Sequence, residues 1–308
     1  MNSLTVLAPG LLTTVQDLGR EGFGPMGVSA SGAADALALR IGNKLLGNPE
    51  DAAALEMTLL GGTFQFSAEN CVAISGSDFG ATLDGQSLAT HTAFKVQPGQ
   101  ALKFGPTKSG ARAYLCVRGG LDVPKVLGSR STHLLSGLGG WAGRALCKGD
   151  VLPIGGDLIC GTSADRSAAW KELESTRGTI RVTQGPQWEN FSESVRKQFF
   201  EQSYVVTEEA NRMGIRLKGT QHQLAAAEDM ITEGVSLGAI QVTPSGQPII
   251  LFVEQQTTGG YPKIANVIAA DFSSVGQLRP RDEIHFELVT MDAARELYRE
   301  QELLFSSV

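Results

Sequence analysis

Several of the features that most readily assign a chain to a class are missing here. No stretch nears the roughly 20 apolar residues that a membrane helix needs. The opening MNSLTVLAPG has neither the basic nor the apolar region of a signal peptide, so a cytoplasmic location is expected, with no membrane partner. Cysteine is scarce: Cys71, Cys116, Cys147 and Cys160 show no CxxC spacing. Three of them lie in apolar surroundings, so they are expected to be small core residues, neither metal ligands nor disulfide partners. The net charge of −6, with no dense Lys/Arg block, argues against a nucleic-acid partner. Walker A, HExxH and GxSxG patterns are absent. His91, His133, His222 and His285 are far apart, and His285 alternates with apolar residues as a structural strand residue does, so no metal site is expected.

What is present is glycine, 37 of 308 residues, in a composition that is 42% hydrophobic and 19% charged. That balance describes a globular chain of many turns and short strands, long enough for two domains. The chain also resembles itself. Leu4-Thr5-Val6 matches Ile180-Arg181-Val182, residues 35–41 match 211–217, and Glu56 before Gly61 matches Glu233 before Gly238. Phe64-Gln65-Phe66 matches Ile240-Gln241-Val242, Asp78 matches Glu254, and residues 97–104 match 279–286. Six matches in order, at nearly constant offset, imply internal duplication. Short alternating segments such as Thr63–Phe66, Ala113–Val117 and Glu283–Val289 indicate antiparallel sheets closing as sandwiches or barrels. Helices are expected at 33–46, with Ser31 as a candidate N-cap, at about 189–201, at 164–176 between the halves, and from Asp292 onward, burying Ala294, Leu297 and Leu303-Leu304.

Two polar clusters carry the chemistry. Gln255-Gln256-Thr257-Thr258-Gly259-Gly260-Tyr261-Pro262-Lys263 follows an apolar strand and abruptly offers amides, hydroxyls, a phenol and an ammonium. Its glycine pair admits a closely approaching ligand, which marks a binding surface. Thr13 to Arg20 is the second cluster; Arg20 either pairs with Asp17 inside a turn or presents its planar fork to an oxyanion. Arg118 and Arg130, beside glycine or serine, suit oxyanions and equally suit loop carbonyls. Glu233, in the turn Thr232-Glu233-Gly234, has a counterpart in Glu56, and a role shared by both repeats is more often structural than catalytic. Gly22-Phe23-Gly24-Pro25-Met26-Gly27 satisfies GxGxxG, but Pro25 and the absence of a preceding buried strand exclude a dinucleotide fingerprint.

The segments TTVQDLGR, SGAADALALRIGN, RAYLCVRGGLDVP, LGSRST, NRMGIRLKG, TEGVSLGAIQV and QQTTGGYPKIA together resemble the biotin-dependent carboxyltransferase family, also called allophanate hydrolase subunit 2. That family includes the C subunit of prokaryotic 5-oxoprolinase, and the resemblance runs from about residue 5 to 288. It implies a mainly β chain of two tandem, internally duplicated cyclophilin-like β-barrel domains with a few short helices. The corresponding division is an N-terminal barrel with extra strands and a Gly-rich loop at 1–160, a helical linker at 161–178, and a C-terminal barrel with a terminal helix at 179–308.

The resemblance also implies an activity: ATP-dependent opening of 5-oxoproline to glutamate, with ADP and phosphate released. It implies partners as well, the cyclophilin-like B subunit and the A subunit of 5-oxoprolinase. ATP, as Mg-ATP at the level of the complex, is the implied cofactor. No lysine is flanked by methionines as in a biotin-carrier hairpin, so covalently attached biotin is not expected. The family's other roles are carboxyl transfer from biotin to an amide substrate, as in urea carboxylase, and antagonism of a sporulation-kinase inhibitor. For the lactam reaction the candidate catalytic residues are Lys263, Tyr261, Glu233 and Arg212. The candidate substrate-binding residues are Arg20, Gln256, Thr257, Thr258, Gly259, Gly260, Arg118 and Arg130. Four departures from the family pattern stand out: Ala210-Asn211 for Ser-Asp, Glu254-Gln255 for a pair such as Asp-Arg, Arg281 for glycine in Pro-Gly-Asp, and Ala34 for methionine. Asn211 removes a charge that could have served a metal or a proton.

Overall fold

Strands dominate because apolar residues recur at every second position between turns set by glycine, proline and asparagine. The computed structural model describes residues 2–156, 178–219 and 230–307. It comprises two units, one of Met1–Arg20 with Ser31–Glu172 and one of Glu21–Ala30 with Leu173–Ser307.

Among the described residues of the first unit, eleven strands form two antiparallel sheets. One runs β11 (Val151–Pro153), β1 (Ser3–Ala8), β4 (Thr63–Phe66), β9 (Ala101–Lys103), β6 (Thr82–Leu83), β7 (Gln86–Ser87). The other runs β2 (Leu12–Gln16), β3 (Ala54–Thr58), β10 (Arg112–Val117), β5 (Asn70–Gly76), β8 (Thr92–Val96). Leu4, Val6, Phe64 and Phe66 of the first sheet meet Leu55, Met57, Val72 and Leu115 of the second in one core. Helix α1 (Ala36–Leu46) packs on β5 and β10. Asp35 accepts the Ala38 N–H at its start, and Gly47, at φ 64°, ends it.

The second unit holds a closed barrel. Its strands follow one another around the ring as β12 (Thr179–Gln184), β19 (Lys263–Val267), β16 (Ala239–Val242), β17 (Pro248–Leu251), β14 (Gly214–Gly219), β13 (Tyr204–Val206), β20 (Glu283–Leu288). The ring closes through a parallel pairing of β20 with β12. Apart from it, β15 (Glu233–Gly234) and β18 (Thr258–Gly259) form a two-stranded flap. Helix α2 (Glu193–Glu201), capped by Ser192, contributes Phe199, whose ring stacks on Phe286 with centroids 4.6 Å apart. Helix α3 (Phe272–Gly276) follows a short turn, and α4 (Met291–Ser307) lays Ala294 against Ile268 and Ala270. Among the described residues no helix is long and apolar enough to cross a membrane.

The mainly β class is as expected, and several details differ. Ser31 sits at φ 55° and donates to the Thr132 carbonyl, so Asp35 takes the cap. Residues 36–41 are helical whereas 214–217 are strand, so that sequence match joins different structures: the first segment has apolar residues at helical spacing, and the second pairs with β13 and β17. Leu303 is 71% exposed because the buried stripe of α4 runs through Ala294, Leu297 and Phe305 instead. Cys71 is disulfide-bonded, while Cys116 and Cys147 are free. Apolar surroundings and wide sequence spacing set no limit on which cysteines meet in space. The helix expected at 164–176 lies outside the described residues.

Candidate functional site

The C-terminal barrel gathers the polar run 255–263 around one buried ammonium. Lys263 opens β19, and its side chain is only 3% exposed. Burying a charge this completely requires a counter-charge. Glu233, on the flap, supplies it: Oε1 lies 2.5 Å from Lys263 Nζ, while the glutamate side chain remains 44% exposed. At that distance the carboxylate both neutralises the ammonium and accepts from it, and one oxygen leaves the remaining N–H groups of Nζ to other acceptors. The Lys263 ammonium, and then the Gln187 amide, hold the Glu233 carboxyl below its usual range.

Gln187 ties these parts together. Its Nε2 donates to Glu233 Oε1 at 2.9 Å, and its Oε1 accepts the Lys263 backbone N–H at 3.2 Å. Its own N–H donates to the Lys263 carbonyl at 3.3 Å. The turn before it uses Gly185 because a Cβ there would sit 2.2 Å from the Lys263 carbonyl oxygen. Gln241, buried in β16, donates from Nε2 to the Tyr261 carbonyl at 3.2 Å. A Cβ on Gly259 would meet that amide at 2.6 Å and the Gln256 amide at 3.0 Å, which explains glycine at this point of the flap. Thr257 accepts the Val235 N–H through its carbonyl and Thr258 pairs with Gly234, so both threonines carry the flap backbone. Gly260 lies beneath the Thr232 hydroxyl, and the Tyr261 ring is 38% exposed.

The structure therefore brings Lys263, Glu233, Gln256, Thr257, Thr258, Gly259, Gly260 and Tyr261 into one neighbourhood. Arg212 is committed elsewhere: its Nε lies 2.5 Å from Glu254 Oε1, with both side chains buried. Asn211 accepts the Met213 N–H through Oδ1, the bond an aspartate would also make there. Gln187 and Gln241 escaped the sequence reading. A polar residue inside the wholly buried β16 was the available signal for Gln241, and the Gly185-Pro186 turn was that for Gln187.

In the first unit the arginines serve loops. Arg20 is buried and donates from Nη2 to the Ser131 carbonyl at 2.5 Å. Arg118 Nη1 donates to the Leu46 carbonyl at the end of α1. Arg130 donates from Nε to the Val123 carbonyl and from Nη2 to Asp122. Asp17 accepts from the Ser129 and Ser131 hydroxyls and from the Gly19 and Arg130 N–H groups. Glu56 is buried beneath Tyr114 and the Ala34 N–H, unlike the half-exposed Glu233, so the two matched glutamates occupy different settings. Among the described residues no group of three His, Cys, Asp or Glu could hold a metal ion.

A buried ammonium beside an amide donor and a carboxylate is a setting in which developing negative charge on a carbonyl or phosphoryl oxygen can be stabilised. The chain is similar to several known proteins. The chain is 38% identical to the C subunit of 5-oxoprolinase from Haemophilus influenzae, over 96% of this chain and 94% of that protein. It is 37% identical to the C subunit of the Escherichia coli 5-oxoprolinase, over 99% and 97%. The crystal structure of Kluyveromyces lactis urea amidolyase superposes with a TM-score of 0.88 at 34% identity, covering 99% of this chain but 20% of that one. With residues 26–288 matching the model of the carboxyltransferase domain, subdomain A and B, the chain belongs to that family.

Proposed function

We propose that this chain is the C subunit of an ATP-dependent 5-oxoprolinase, opening 5-oxoproline to glutamate together with the A and B subunits. The observation that carries the reading is end-to-end correspondence: two 5-oxoprolinase C subunits match over 94% and 97% of their own length, whereas the match covers 20% of the amidolyase.

The lactam carbonyl is a poor electrophile. Phosphorylation of its oxygen by ATP makes the carbon accessible to water, after which the C–N bond breaks with its nitrogen protonated and a second water releases phosphate. In this reading Lys263 stabilises negative charge on the carbonyl or phosphoryl oxygen, and its burial beside Glu233, to which the Gln187 amide donates, supports that role. Glu233, held beside Lys263, is the group available to accept a proton from water. ATP, as its magnesium complex, enters as a co-substrate of the assembly.

Carboxyl transfer is the second reading, favoured by the family's domain description and by the amidolyase fold match. In that case biotin arrives on another polypeptide. Co-purification with the A and B subunits, followed by assay of 5-oxoproline-dependent ADP and glutamate release, separates the two. Stoichiometric glutamate and ADP support the lactamase. No glutamate from the complete complex, with carboxylation of an amide by a biotinylated carrier, replaces it with the transferase.

A further inference from the structure

The flap residue Glu233 is an odd partner for so deeply buried an ammonium. Lys263 is fixed in a barrel strand paired on both sides, by β12 and β16. Glu233 instead sits on a strand of two residues whose pairing is limited to Gly259 and Thr258, with the Val235 N–H to Thr257 carbonyl bond beside it. Residues 231–234 are exposed, and Ile231 is 90% exposed, so little packing holds this strand down. The two charges therefore differ in what they lose on separation. The carboxylate is already half in water and can rehydrate by a small movement of the flap. The ammonium cannot follow it, and left alone it would be a bare buried charge. Separation is favourable only when another anion takes the place of Glu233. The ammonium has three N–H donors and the structure shows one carboxylate oxygen, Glu233 Oε1, at 2.5 Å, so a ligand with several oxygens can make bonds that this glutamate contact does not.

We infer that Glu233 is a built-in stand-in for an anionic ligand: it occupies the oxyanion site of Lys263 in the free chain and is displaced, with its flap, when a carboxylate or phosphoryl oxygen binds. This rests on Lys263 belonging to the functional site but not on 5-oxoproline being the substrate. It assigns Glu233 two successive positions, counter-ion before binding and free carboxylate beside the bound ligand afterwards. A site guarded in this way favours oxyanions, which can replace the carboxylate as counter-charge, over neutral molecules, which cannot.

Calorimetric titration of the purified full chain with inorganic phosphate, and separately with 5-oxoproline, tests it, the two arms distinguishing a phosphoryl from a carboxylate ligand. Removing a tethered competitor raises apparent affinity in proportion to its occupancy, so Glu233→Gln is expected to bind at least one of the two about tenfold more tightly than the wild type. The gain should vanish in the double variant Glu233→Gln, Lys263→Met. Gln187→Met, which releases one of the two holds on the carboxylate, should give a smaller gain and serves if Glu233→Gln does not fold. Equal affinity in wild type and variants, no binding in any, or a gain that persists without Lys263 would each overturn the inference. Loss of 5-oxoprolinase turnover in the complex, by contrast, bears on the proposed function and leaves this result standing.

Discussion

Arg212 Nε lies 2.5 Å from Glu254 Oε1, and neither side chain is more than 5% exposed. The Glu254 N–H also donates to the Arg212 carbonyl, so the pair clamps the end of β17 to the segment leading into β14. Truncating one member of a buried pair leaves the other's charge poorly compensated in low dielectric. Glu254→Ala should therefore lower stability by roughly 3 kcal/mol, read as a shift in urea midpoint. A change below about 1 kcal/mol would mean that the guanidinium is well solvated or otherwise held.

Lys263→Met removes the buried ammonium while nearly keeping its volume, and Glu233, half-exposed, can turn to water. Folding should survive the change. Turnover of the reconstituted complex should fall on the order of 10²-fold, as when one preorganised donor to a developing oxyanion is lost. Full activity with an intact thermal transition would remove Lys263 from the mechanism.

How far the sequence revealed this site follows from where each signal lies. The polar run after an apolar strand marked Lys263, Tyr261 and the glycines because strand-to-loop transitions are local. Glu233 was singled out as well, but Gln187, which donates to its carboxylate, was not: Gln187 and Lys263 are brought together next to the pairing of β12 with β19, a long-range register that no local pattern encodes. The arginines misled for a related reason. Arg118 and Arg130 stand beside glycine or serine both when they bind oxyanions and when they hold loop carbonyls, and only the folded chain distinguishes the two. The strand class was legible from alternation, whereas the flap, two residues per strand, is too short to leave a period.

Tyr114 in β10 joins three parts of the first unit: its hydroxyl donates to Glu56 Oε2 at 2.7 Å and accepts the Asp35 N–H at 2.8 Å. Burial, and then the Glu56 and Asp35 charges, push its phenol well above the usual range, so it remains a donor at any working pH. Tyr114→Phe strips one donor from a buried carboxylate and one acceptor from a buried N–H. A loss of about 2 kcal/mol is expected in denaturant titration, with the native fold retained.

Asp150 pairs with Arg144 through both carboxylate oxygens, and the hydrogen bonds from Arg144 are the largest influence holding its pKa down, to about 2. A folded-state value below the unfolded one means that the pair's contribution is complete above the ordinary aspartate value of 3.8. It is lost as pH falls from there through about 2. Asp150→Asn should therefore flatten the stability profile between those values and leave its slope near neutrality unchanged. An unaltered acid limb would show that other carboxylates govern it.

Arg281 occupies a left-handed conformation, φ 74°, in the turn before β20, a region that favours glycine. Its N–H donates to the Val206 carbonyl at 2.8 Å, so the turn is held despite the unfavourable backbone. The side chain offers little in return: its ion pair with Glu208 is 86% and 65% exposed, a setting in which such pairs contribute almost nothing. Relieving the left-handed penalty of a Cβ, roughly 1–2 kcal/mol, outweighs the added freedom of glycine in the unfolded chain, roughly 0.5–1 kcal/mol. Arg281→Gly should therefore stabilise the protein by about 0.5–1 kcal/mol, and Arg281→Asn, whose side chain tolerates this region, should fall between the two. Thermal melts of the three proteins rank them directly; a glycine variant less stable than the wild type would show that the Glu208 pair matters more than its exposure allows.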